Sequence, residues 1–130
     1  MKATVQLSAI PTPQNGVSII LEGLRTRLFF DFTDTPARED EEVNTDLKDC
    51  ESIDLVGRSY GEIVSAIIND RYPADKTQAI MANYENAKDS ASNLAEEKRA
   101  EYLQEYADYQ DWRAHAKDIA KTVSNIIEGE

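Results

Sequence analysis

The feature that most constrains this chain is its C-terminal stretch from Asn93 to Ile127, which contains neither proline nor glycine. Apolar groups recur there at Tyr102, Tyr106, Tyr109, Ala116, Ala120, Val123 and Ile127, and an adjacent line runs through Leu103, Trp112, Ala116, Ile119, Val123 and Ile126. Steps of three and four residues put both lines on one broad face of a long amphipathic α-helix, which must bury that face against something. Unbroken, it spans about 50 Å at 1.5 Å per residue, more than the width of a compact domain of this mass. Either the helix breaks near Ala91–Ala95, or part of it projects and packs on a partner. The capping side chains of Asp89-Ser90-Ala91-Ser92-Asn93 allow a break, and the same run equally reads as a poorly propagating stretch within one continuous helix. A break is expected because one helix from Asp75 to Ile127 would leave the Tyr60–Tyr72 helix nothing to pack both sides against.

The N-terminal half has a different rhythm. Ala3, Val5 and Leu7 alternate with Thr4, Gln6 and Ser8, the period-two pattern of a half-buried strand. Pro11-Thr12-Pro13-Gln14-Asn15-Gly16 interrupts it with two missing donors and a strong turn dipeptide. Val17–Leu21 resumes as a strand, and Leu24–Phe32 forms a third after Glu22-Gly23. Alternation in that third strand puts Leu28, Phe30 and Phe32 on one side and Arg27, Phe29 and Asp31 on the other. Phe29 must then be covered by the protein's own helices or by a partner. Residues 33–48 read as an acidic loop, with four acids in a row from Glu39 to Glu42. Cys50, Ile53, Leu55 and Val56 suggest a last strand ending at Gly57.

Helical punctuation follows. Ser59-Tyr60-Gly61-Glu62 matches a capping box, and behind it Tyr60, Ile63, Val64, Ile67, Ile68 and Tyr72 form an apolar stripe closed by Pro73. Asp75-Lys76-Thr77-Gln78 reads as a second capping box, opening a helix with Ile80, Met81, Tyr84 and Ala87 on one face. The expected fold is α+β: a small antiparallel sheet of three to four strands, a helical hairpin, then the long C-terminal helix. Residues 1–57 form the β-rich region and 58–130 the helical region of one cooperative domain.

Composition narrows the functional classes. With 25 acidic and 14 basic residues the net charge is −11, against the positive surface that nucleic-acid binding requires. The closest approach to one is the short stripe Arg113, Lys117 and Lys121, flanked by Asp108, Asp111 and Asp118. The hairpin's second helix also offers too few cations for a DNA-reading helix. One cysteine excludes an intrachain disulfide and fits a reducing compartment. Met1–Leu7 is too polar for a signal peptide, and no window approaches a membrane span, so a cytosolic origin is expected.

Catalytic groupings are sparse. His115 lies between Asp111 and Asp118 at helical spacing, a pattern commoner as a surface ion cluster than as a metal site. The acids around Asp31, Asp34 and 39–42 lack calcium-loop spacing. Cys50 sits between Asp49 and Glu51, whose charges raise a thiol pKa and make it a poor nucleophile. Phosphate-binding glycine motifs do not occur. No catalytic residue, cofactor or metal ligand is expected. The informative surplus is aromatic: Tyr102, Tyr106, Tyr109 and Trp112 lie along one face. Such residues suit half-wet interfaces, but packing on the protein's own sheet explains them equally. The candidate interface comprises Phe29, Tyr102, Tyr106, Tyr109, Trp112, Ile119, Val123 and Ile126, with the helix's first half used internally and its second half externally.

The runs Ser59–Lys76 and Ala107–Lys117 resemble small uncharacterised proteins encoded by tailed phages and prophages of gut Bacteroidota, over about residues 50–127. The resemblance implies a multi-copy virion component or assembly factor and carries over no catalytic residue. The expected function is a non-enzymatic virion structural protein connecting subunits of a tail, neck, baseplate or fibre attachment, assembled in the bacterial cytoplasm. Its partners would be other virion subunits and the chain itself, without direct nucleic-acid or membrane contact. The alternatives are a tail or fibre assembly chaperone absent from the mature particle, and an acidic inhibitor of a basic host protein.

Overall fold

The computed structural model describes residues 1–37, 42 and 44–129. Four strands, β1 (Lys2–Gln6), β2 (Val17–Glu22), β3 (Arg25–Asp34) and β4 (Leu47–Leu55), precede three helices, α1 (Tyr60–Arg71), α2 (Ala74–Lys88) and α3 (Glu96–Glu128). The strands form one antiparallel sheet in the order β1-β4-β3-β2. The architecture is the α+β one expected. Most of the acidic run, Glu39 to Glu41, lies outside the described residues.

Local chemistry explains the connections. Asn15 and Gly16 both take positive φ (52° and 81°) in a two-residue turn, and Gln14 and Val17 exchange backbone hydrogen bonds across it. Gly23, at φ 60°, turns the β2–β3 hairpin and leaves Leu24 at its tip. Ser59 caps α1 by accepting from the Glu62 amide at 3.2 Å, and its hydroxyl donates to Glu62 Oε1 at 2.7 Å. The expected second box at Asp75 does not form. Pro73 takes the N-cap position and α2 starts at Ala74, so Asp75 falls inside the first turn and Thr77 donates to the Tyr72 carbonyl instead.

The break after α2 is real: α2 ends at Lys88 and α3 begins at Glu96. Arg99 holds it, donating to the carbonyls of Ala87 and Asp89 and to Ser92 Oγ. These bonds satisfy carbonyls that a helix end would otherwise leave unpaired.

The core lies between one sheet face and the helices. Val17, Leu28, Phe30, Ile53 and Leu55 meet Ile63 and Ile67 of α1 and Trp112, Ala116, Ile119, Ala120 and Val123 of α3. No α2 residue belongs to this cluster; α2 packs on the first part of α3, forming a two-helix arm.

One irregularity reorients a strand. Phe30 pairs with Glu51 but Thr33 pairs with Asp49, so β3 carries an extra residue, and Asp31 takes φ 56° at the bulge. The extra residue reverses the alternation, and Phe32 leaves the side of Leu28 and Phe30 expected of it. The same bulge brings the Asp31 carboxylate to the helices. Val56, expected at the end of the last strand, lies beyond β4 and is 99 % exposed.

Candidate interaction surfaces

Contact within the chain already covers most of the residues nominated as an interface. Phe29, Tyr109, Trp112, Ile119 and Val123 are buried, and Tyr102, Tyr106 and Ile126 are half-buried. Phe29 is covered although it faces away from the helix-side core: its neighbours Leu28 and Phe30 belong to that core and it pairs with Ser18 and Ser52. The second half of α3, expected to face outward, lies on the sheet. The less covered half is the first.

Trp112 shows how completely that area is used. Its ring packs on Phe30, centroids 6.1 Å apart, and its Nε1–H donates to the Ile67 carbonyl at 3.2 Å. The Arg71 guanidinium sits 3.4 Å from the ring centroid and donates to Glu51 Oε1 at 2.9 Å. Glu51 is buried at 7 % exposure, so the pairing supplies the partner that a buried carboxylate requires. Sheet, α1 and α3 are thus tied at one point. Tyr109 meets the edge of Tyr72 at 5.1 Å, and in the arm Tyr106 stacks on Tyr84 at 3.6 Å. From Tyr106 to Trp112 the aromatic ridge is a series of internal pairs, whereas Tyr102 has only Lys98 of its own helix over its ring.

His115 does not join Asp111 and Asp118. Its Nε2 lies 2.7 and 2.9 Å from the two carboxylate oxygens of Asp31 at the bulge. Helical spacing alone could not reveal this partner, because a strand residue 84 positions away supplies it. Cys50 is buried on β4, and burial first, then the charges of Glu51 and Asp49, push its thiol pKa upward. Sequence reasoning anticipated the charges but not the larger cause. Among the described residues no three His, Cys, Asp or Glu side chains are grouped to hold a metal ion, and no helix is long and apolar enough to cross a membrane.

The exposed apolar groups lie elsewhere. Leu24 is 96 % exposed and, with Val56, Ile20 and Leu55, lines an open groove of about 660 Å³ rimmed by Arg25 and Arg27. Arg58 fixes this corner by donating to the Gly23 carbonyl and to Thr26 Oγ1, both at 2.9 Å. Sequence reasoning missed the corner because Leu24 and Val56 read as strand residues. The signal available was Leu24 directly after a turn glycine.

Compared with protein-family models, curated proteins and solved structures, the chain matches none. Fold and surfaces together define an α+β protein with a closed sheet–helix body, a two-helix arm and an exposed apolar corner.

Proposed function

We propose that this chain is a non-enzymatic structural protein of a tailed-phage virion, connecting subunits in a tail, neck, baseplate or fibre attachment. The observation that carries the reading is that two regions with exposed apolar side chains, the Leu24–Val56 corner and the arm with Met81 and Leu103, lie at the two ends of α1. The Leu24–Val56 corner adjoins the start of α1, and the arm departs from its end. A connector needs two such regions held apart, and the Trp112–Arg71–Glu51 tie stiffens the body between them. The resemblance of Ser59–Lys76 and Ala107–Lys117 to phage-encoded proteins supplies the setting. Nearly complete exposure of two apolar side chains fits a site that a neighbouring subunit covers.

Mass spectrometry of purified particles, followed by crosslinking, tests the proposal. The chain should be present in the particle, with crosslinks to a neighbouring subunit from the Leu24–Val56 corner. The exposed double variant Leu24→Asp/Val56→Asp should fold normally and fail to incorporate. Absence from particles together with tight binding to an unassembled tail protein would replace the connector with an assembly chaperone.

A further inference from the structure

The strand order leaves β1 at one edge of the sheet, and its hydrogen bonds reveal which way its backbone points. The Ser52 amide donates to the Met1 carbonyl at 2.7 Å, and the Leu7 amide donates to the Asp46 carbonyl at 2.8 Å. Antiparallel alternation then turns Ala3 and Val5 toward β4, and the N–H and C=O groups of Lys2, Thr4 and Gln6 outward. Apart from the Gln6 carbonyl, which faces the 3-10 turn Leu7–Ala9, those outward groups have no backbone partner among the described residues. Open edges are usually blunted by short strands, lysines, proline, bulges or inward charge; β1, five residues long with Lys2 at one end, keeps an unbroken register with β4 and has no proline. The opposite edge is covered only at its start. Gln14 occupies the outward side of Val17 through bonds of 2.8 and 3.1 Å, and the Pro11 carbonyl accepts from Ser18 Oγ at 2.6 Å.

We propose that β1 is a self-association edge, to which a second copy of this chain adds its own β1 in antiparallel orientation. Lys2, Thr4 and Gln6 are symmetric about Thr4, so a two-fold axis there pairs Thr4 with Thr4 and Lys2 with Gln6 on both sides. About four backbone hydrogen bonds then join the two edges, through the Thr4 groups, the Gln6 amides and the Lys2 carbonyls, and the two sheets become one. No like charges oppose each other across this seam, and hydroxyls meet at its centre. Lys2 of each copy is brought to the end of β1 beside Leu47, where Asp46 and Asp49 of the other copy supply carboxylates. An open groove of about 520 Å³ lined by Lys2, Thr4, Asp49 and Arg71 keeps the helix side of the edge clear. The net charge of −11 on each copy opposes association at long range, so added salt strengthens the pairing, whereas it would weaken capture of a basic foreign strand. The inference deepens the connector reading by naming a second copy as one of its partners, and rests on that reading for its place in a particle.

Sedimentation equilibrium of the full chain over a wide concentration range tests it. The expected result is a reversible monomer–dimer equilibrium that tightens with salt. Thr4→Pro removes an outward donor without touching the β4 ladder, so it should raise the dissociation constant at least about tenfold with unchanged circular dichroism. Gln6→Glu, placed opposite Lys2, should tighten the dimer several-fold and Gln6→Lys should loosen it, which keeps the register testable if Thr4→Pro misfolds. A chain monomeric at every concentration, wild-type association by a folded Thr4→Pro variant, or equal effects of the two Gln6 variants would overturn the proposal. Dimerisation by a chain missing from particles overturns the connector and leaves the edge. A particle component that never pairs through β1 does the reverse.

Discussion

The two halves of α3 carry the same kind of periodic apolar face and meet different neighbours. From Trp112 to Val123 the face lies on the sheet, and Trp112, Ala116, Ile119, Ala120 and Val123 are all buried. From Glu96 to Tyr106 it meets only one other helix in the arm, and Tyr102 and Tyr106 stay half-buried. A tryptophan buries about 150–250 Å², worth about 4–6 kcal/mol at 25 cal/mol per Å² before entropy is charged against it. The arm's stacked tyrosines, wet along one side, contribute less. Helical periodicity therefore specifies that a face is covered but not what covers it or how thoroughly.

The largest effect expected is at the body's tie point. Trp112→Ala should cost about 3–5 kcal/mol, because it opens a cavity and removes the surface on which Arg71 is held against Glu51. Denaturant unfolding followed by circular dichroism measures it. A loss below about 1 kcal/mol would place the second half of α3 on the same footing as the arm.

A smaller and more local effect is expected at Tyr84→Ala, which removes the stack on Tyr106. The loss should be about 1–2 kcal/mol, read as faster amide exchange in α2 and in α3 before Tyr109, with the body's amides still protected. Equal acceleration throughout α3 would make body and arm one cooperative unit.

The least perturbing test uses Cys50 as a reporter of the body alone. Its thiol pKa is raised by burial and by Glu51 and Asp49, so the folded state holds the proton more tightly than the unfolded one. The resulting stability is fully present below the ordinary thiol pKa of about 8.5 and falls away as pH rises through the folded value. At neutral pH a thiol reagent should react slowly, at a rate that tracks global unfolding and is unchanged by Tyr84→Ala. Fast reaction in that variant would mean that opening the arm also opens the sheet.

Much of this fold was legible in the chain. Period-two alternation marks β1, branched Val17, Ile19 and Ile20 after the Asn15-Gly16 turn mark β2, Pro73 separates α1 from α2, and the polar run 89–93 falls within the break that Arg99 secures. Fold class and order needed only local rules. What escaped was non-local or depended on one backbone conformation. The bulge at Asp31 turns Phe32 away from the core side and gives His115 its carboxylate, and nothing in the sequence around Asp31 announces a positive φ there. The ridge Tyr102–Trp112 was visible as a contact surface, but its neighbours Tyr84, Tyr72, Arg71 and Phe30 come from other elements. The open edge of β1 depended on strand order, which alternation within a strand does not encode.

The chain's single tryptophan allows the central claim, that the aromatic ridge is covered by the molecule itself, to be tested directly. Fluorescence of Trp112 in the dilute monomer should be blue-shifted and resist acrylamide quenching, with no change on self-association. Red-shifted, readily quenched emission that becomes protected only when a partner binds would contradict the account and return the ridge to the interface.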